Sequence, residues 1–183
     1  MSELRTNRIV PRDGLVSTTT SAGGIIQVKH TIFSGIASRT TSSYDFGALV
    51  TSDAITPTRS DSKILIQCVM YMSTNNDSGR FGYRVMRIPV GGSAAHITPT
   101  QYGDGAGNRQ QSATYHRQSS VADMPAVVFN GIDAPSTTSP VTYSIYSSGE
   151  SSDVVYLNRT DENSDSASHY RPISTITLME VSG

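Results

Sequence analysis

The sequence predicts an all-β fold, a jelly-roll-like antiparallel β-sandwich preceded by an extended N-terminal segment. Three observations carry this. Short runs rich in β-branched and aromatic residues recur along the chain, separated by Gly, Pro, Ser and Asn at the spacing expected of a sandwich. In the clearest run Ile64, Ile66, Cys68, Met70 and Met72 fall at spacing two, so an extended backbone puts them on one face and sends Lys63 and Gln67 to the other. Finally, apolar residues nowhere hold a 3.6-residue spacing over three turns, and no internal repeat is present, which sets aside helical bundles, solenoids and propellers.

The elements follow in order. Residues 1–22 have sparse apolar side chains (Leu4, Ile9, Val10, Leu15, Val16), punctuation at Pro11 and Gly14, and a Ser-Thr-Thr-Thr run, too little apolar surface to fold alone. Arg5, Arg8 and Arg12 suit a solvated tail, while the apolar residues between them equally suit an extended segment added to another subunit's sheet edge. Gly23-Gly24 hands over to a β-branched strand, Ile25 to Phe33, which opens a β-sandwich domain over 23–183. Tyr44 to Val50 is the next strand. Ile64 to Met72 and Arg80 to Ile88 flank the polar run 73–79, whose Asn, Asp, Ser and Gly suit a chain reversal, so this pair is expected to form a hairpin in the middle of a sheet. A Gly/Gln/Asn-rich passage runs from Gly91 to about Ser120. Ala126 to Asn130 and Val141 to Tyr146 are strands bracketing the loop 133–140, and Val154 to Asn158 and Ile173 to Val181 complete the set.

Composition excludes several classes of function. Charged residues are 16% of the 183-residue chain, the net charge is −1, and Ser plus Thr supply about a quarter of it, a neutral polar surface unlike the basic one that phosphate neutralisation requires. Nucleic acid is therefore not an expected partner. No apolar run approaches the ~18–20 residues that span a bilayer, and the opening residues lack the apolar segment of a signal peptide, so no membrane insertion is expected and synthesis in a cytoplasm is. The single cysteine, Cys68, lies on the buried row of its strand, which rules out an internal disulfide and reads as a small buried hydrophobe.

Constellations that would carry chemistry are weak. His30, His96, His116 and His169 stand in separate segments without a second ligand at metal spacing, so no metal or cofactor is expected. No Gly-x-Ser-x-Gly elbow occurs among the many serines. Residues 161–165 lack the order of a calcium loop and read as a solvated acidic turn, and the glycine-rich 103–108 lacks the Lys-Ser/Thr and helix of a phosphate cradle. Asn158-Arg159-Thr160 matches the glycosylation triplet, which has no meaning without a secretory route. Nothing here points to an enzyme.

Several strands carry apolar residues on both faces. Leu65, Val69 and Tyr71 oppose the Ile64 to Met72 row, and Ile176 and Leu178 oppose Met179 and Val181. A sandwich buries one face per sheet, so these five residues are the expected subunit interface of a symmetric homo-oligomer, the alternative being cover by loops or the N-terminal segment of the same chain.

Leu4 to Gly14 resembles the opening segment of many tailed-bacteriophage fibre and virion proteins. Gly23-Gly24-Ile25-Ile26-Gln27-Val28, Ser62-Lys63-Ile64-Leu65, Ser136-Thr137-Thr138 with Val141-Thr142-Tyr143, and Ser174 to Val181 resemble, in order, the markers of a β-sandwich module in such fibres, of a kind common in phages of aquatic bacteria. The resemblance implies a non-enzymatic virion protein assembled in the host cytoplasm, a homotrimeric tail-fibre or fibre-tip domain that contributes to host-surface attachment. Leu4, Arg5, Asn7, Ile9 and Arg12 would anchor it to other virion proteins, and exposed loops would touch a host-surface glycan. Asn75, Asn76, Asp77, Tyr102 and Tyr115 are the candidates for that contact, because an aromatic face with nearby amides and carboxylates suits a sugar ring. The chain departs from long fibres in having no shaft between Gly14 and the module. The alternative is a capsid decoration, cement or tail-adaptor protein that contacts only other virion proteins.

Overall fold

The computed structural model describes residues 24–182. Its elements are all strands: β1 Ile25–Phe33, β2 Ala37–Thr40, β3 Gly47–Thr51, β4 Lys63–Thr74, β5 Arg80–Pro89, β6 Ala95–His96, β7 Thr114–Arg117, β8 Ala126–Asp133, β9 Val141–Gly149, β10 Val154–Leu157 and β11 Ser174–Val181. They form two antiparallel sheets. In the first, β1 pairs β11, β11 pairs β4, and β4 takes β8 on its other edge, while β10 continues the β11 side of β4 and carries β2. In the second, β3 pairs β9, β9 pairs β5, and β5 is flanked on its far edge by β7 and β6. Counting β1, β3, β4, β5, β7, β8, β9 and β11 as one to eight, the sheets read 1-8-3-6 and 2-7-4-5. That is the strand order of a jelly roll, two Greek keys wrapped face to face.

Between the sheets lies one apolar core. The expected row Ile64, Ile66, Cys68, Met70 and Met72 is buried and faces Phe81, Tyr83 and Val85 of β5 and Val141, Tyr143 and Ile145 of β9. Burial of a side chain of this size contributes about 1.5–3 kcal/mol, so these rows supply the main drive to close the sandwich.

Two expectations from the sequence are corrected here. β4 and β5 do not form a hairpin: each is the centre of its own sheet, and residues 75–79 carry the chain across from one sheet to the other. The polar run is a turn, with the Gly79 N–H donating to Asn76 O at 2.9 Å, but both strands already have two occupied edges, so their apolar rows meet across the core instead of side by side. Ile176 and Leu178 are not an interface. They are fully buried in the core, because the β11 register sets them opposite Cys68 and Ile66. Met179 and Val181, with Thr175 and Thr177, face outward. Spacing two groups the residues by face, and the register chooses the face. The 91–120 passage also contributes β6 and β7, short pieces that cover the free edge of β5.

The inward β11 row ends on Glu180, also fully buried. Its carboxylate accepts hydrogen bonds from Gln27 Nε2 (2.6 Å) and from the Thr58 N–H and hydroxyl (both 2.7 Å). A second buried carboxylate joins the two sheets. Asp133, at the end of β8, accepts from Arg87 Nη1 of β5 at 2.9 and 3.0 Å, from the Tyr143 hydroxyl of β9 at 2.8 Å and from the Thr98 N–H at 2.6 Å. Both charges are met by short, charge-assisted bonds, the condition for a tolerable buried ion.

Candidate functional site

Two outer faces of the sandwich present organised surface. On the first sheet the ladder pairings define rows across β1, β11, β4 and β8. One row is Ile32, Thr175, Val69 and Val128; the next is His30, Thr177, Gln67 and Asn130; the third is Val28, Met179, Leu65 and Ile132. Apolar rows thus flank a polar one. Val28, Ile32, Val69 and Val128 are 53%, 55%, 37% and 54% exposed. With strands ~4.8 Å apart, each apolar row is a stripe about 15 Å long across four strands, and the polar row divides one stripe from the other. Of the residues expected at an interface, Leu65, Val69 and Tyr71 lie on this face, as their spacing requires.

The second sheet carries a pocket of about 430 Å³. Its origin is local. Along β5, Phe81, Tyr83 and Val85 turn inward, so Gly82 points outward, in register with Tyr115 of β7 on one side and Ser148 of β9 on the other. A glycine in mid-strand marks a place where another backbone approaches closely. Here the Thr114 carbonyl closes over the strand: a Cβ on Gly82 would lie 2.6 Å from that oxygen and 3.3 Å from the Ser112 side chain, so only glycine fits at this point of the pocket lining. Tyr44, held nearby by the Ser148 hydroxyl donating to its carbonyl at 2.7 Å, and Phe46 form the wall beyond Ser148. The Arg84 guanidinium stacks over the Phe46 ring at 3.8 Å, and its Nε donates to Gln111 O at 2.6 Å, fixing the 108–112 loop beside the pocket. Burial there draws Arg84 below its ordinary pKa.

The pocket is lined by Arg80 and Arg109 and by no acidic residue. Arg80 is paired with Glu150 at 2.5 Å. Arg109 donates to the Ala106 carbonyl at 3.0 Å and makes no ion pair among the described residues. Tyr115 is 61% exposed and Tyr44 39%, two large aromatic rings left wet in the lining of the pocket.

The sequence-derived contact candidates are thereby sorted. Tyr115 lines the pocket. Tyr102 does not: its hydroxyl donates to Val85 O at 2.8 Å, its ring packs edge-on to His96 at 5.3 Å, and burial pushes its hydroxyl up to about 12. Asn75, Asn76 and Asp77 lie in the 75–79 crossing, where each side chain serves an internal bond. Asn75 Oδ1 accepts from Val154 N–H at 2.7 Å, Asn76 Nδ2 donates to Asp153 at 3.2 Å, and Asp77 Oδ1 accepts from Val121 N–H at 2.7 Å. Leu4, Arg5, Asn7, Ile9 and Arg12 lie outside the described residues. Sequence reasoning missed Tyr44, Phe46, Gly82 and Arg109. The one available signal was Gly82 itself, a glycine interrupting the alternation Phe81, Tyr83, Val85.

Other reactive groups have structural surroundings. Burial in the core pushes the Cys68 thiol up to about 12. Asn158 of the glycosylation triplet is fully buried, with Nδ2 donating to Phe33 O (2.7 Å) and Gly35 O (2.8 Å) and Oδ1 accepting from Ser174 Oγ at 2.6 Å, a joint between the β1–β2 turn and the start of β11. Among the described residues no three His, Cys, Asp or Glu side chains are grouped to hold a metal ion.

No protein-family model matches the sequence, and no curated protein matches it. Among solved structures, the chain is similar to that of the infectious bursal disease virus Gx strain, with 13% identity and a TM-score of 0.42 over 94% of this chain and 44% of that one. The Gt strain structure gives 12% identity and a TM-score of 0.42 over 94% and 42%. The VP2 subviral particle of the same virus gives 11% and 0.36 over 94% and 44%. The chain therefore spans less than half the length of these proteins, and the likeness is distant.

Proposed function

We propose that this chain is a non-enzymatic structural protein of a virion, a homotrimeric tail-fibre or fibre-tip domain that contributes to host attachment. The observation that carries the reading is the outer face of the first sheet. Its exposed apolar rows on β1, β4 and β8 ask for cover, and a copy of the same chain is the simplest source, since one symmetric contact covers the same patch on every subunit. A sandwich with such a face is a building block that gains stability on assembly. The virion setting is supported by the resemblance of an ordered set of sequence segments to phage fibre modules, and residues 1–22 would supply the link to other virion proteins. Joining three weak contacts in one trimer, and several trimers on one particle, makes later binding events intramolecular, which is how such a protein holds a surface.

The test is the absolute mass in solution by light scattering, on the full chain and on a version starting at Gly23. The expected mass is roughly 59 kDa for the full chain, three times its 19.6 kDa, and about 7 kDa less for the shorter version, which lacks 22 residues per chain. Val69→Glu combined with Val128→Glu should reduce it to a single chain without changing the far-ultraviolet circular dichroism, because both side chains face outward. A monomer in the unaltered protein at micromolar concentration would overturn the trimer, and with it the fibre assignment in favour of an adaptor held by its neighbours.

A further inference from the structure

We propose that the pocket of the second sheet, floored by Gly82, is a binding site for an acidic saccharide, one sugar residue of which bears a carboxylate. The inference deepens the attachment reading above and rests on it only for the source of the sugar. Three features of the site point to this chemistry. A pyranose ring presents a flat C–H face that packs on an aromatic ring, and Tyr115 and Tyr44 stand half wet at the mouth, where burying them would repay the sugar's desolvation. The floor at Gly82 is fixed by backbone, with the Thr114 carbonyl packed where a Cβ would lie, and the pocket of about 430 Å³ is walled by Tyr44, Phe46 and Tyr115, so its shape exists before any ligand arrives. Its free charge is positive: Arg80 is met by Glu150, but Arg109 lines the pocket with only a backbone carbonyl to serve, and no acidic residue is in the lining. A guanidinium offers a carboxylate two parallel donors, a match that a neutral sugar does not provide.

The roles follow from the placement. Tyr115 stacks on the ring, Arg109 takes the carboxylate, and Arg80, already neutralised by Glu150, donates to ring hydroxyls. Arg84 keeps Phe46 and the 108–112 loop in place without touching the sugar.

The experiment is saturation-transfer nuclear magnetic resonance and titration of the full chain with oligosaccharides of galacturonate, glucuronate and N-acetylneuraminate, each beside its neutral methyl ester. At least one acid should bind more tightly than its ester, and raising the salt from about 0.1 M to about 1 M should narrow that gap. Arg109→Gln should weaken the acid about tenfold or more and leave the ester unchanged. Tyr115→Ala should weaken both. Both side chains are outside the core, so these variants fold, which circular dichroism verifies. No binding by any of the probes, or binding that both variants leave intact, overturns the site. Equal affinity for acid and ester overturns the acidic class. Adsorption to host cells is measured separately: saccharide binding without adsorption refutes the attachment reading and leaves the pocket standing, and adsorption without saccharide binding does the reverse.

Discussion

Replacing Asp133 by alanine tests the joint between the two sheets. Asp133 is fully buried on β8, and its carboxylate holds Arg87 of β5, the hydroxyl of Tyr143 on β9 and the Thr98 N–H. In Asp133→Ala the Arg87 side chain, only 16% exposed, keeps its charge and loses its counter-ion, while the Tyr143 hydroxyl and the Thr98 amide lose their acceptor. Removing one partner of a buried ion pair costs about 3–5 kcal/mol. Against a whole-domain stability of ~5–15 kcal/mol this is a large share, and at ~2–4 °C per kcal/mol for a chain of this size Tm falls by about 6–20 °C. Urea unfolding reads it directly, followed by tyrosine fluorescence because the chain has nine Tyr and no Trp. Asp133→Leu with Arg87→Met, which removes both charges, should cost at least about 1 kcal/mol less than the two single changes added together. A cost below about 1 kcal/mol for Asp133→Ala, or singles that simply add, would refute the claim that this pair ties the sheets.

Two further outcomes are expected. Burial alone would raise the Glu180 carboxyl, but the donors from Ser62, Gln27 and Thr58 outweigh it and hold the group at about 2, below its ordinary 4.5. Since the folded value is the lower one, the contribution is complete above pH ~4.5 and is lost as pH falls toward ~2. The urea midpoint should therefore drop through that window, and Glu180→Gln should make the drop shallower; an unchanged acid profile would show that Glu180 does not carry it. Cys68 should resist thiol reagents at pH ~8 in the folded protein and react fully in urea, because burial pushes the thiol up to about 12 and no thiolate forms. Rapid labelling without denaturant would mean that β4, the centre of its sheet, opens locally.

The longer strands and their alternation were legible in the sequence, while the short β2, β6 and β7 were not. Ile25–Phe33, the Ile64 to Met72 row and Ser174–Val181 were legible because β-branched residues at spacing two leave little choice of conformation, and the all-β sandwich followed from their number and spacing. Cys68 was legible as core for the same reason. The period fixes which residues share a face and is silent on which face is buried, so only the pairing of β11 with β4 placed Ile176 and Leu178 inside and left Met179 outside. Local polarity marks a turn at 73–79, but whether a turn closes a hairpin or crosses between sheets depends on which other strands already hold the edges of β4 and β5. Asp133 read as the start of a loop because its partners Arg87 and Tyr143 are distant in the chain or point the other way until the sheets close. The pocket was decided latest of all. Gly82, Tyr115, Tyr44 and Arg109 come from four separate segments, and only the pairing of β7, β5 and β9 in register brings them together around one cavity with aromatic walls.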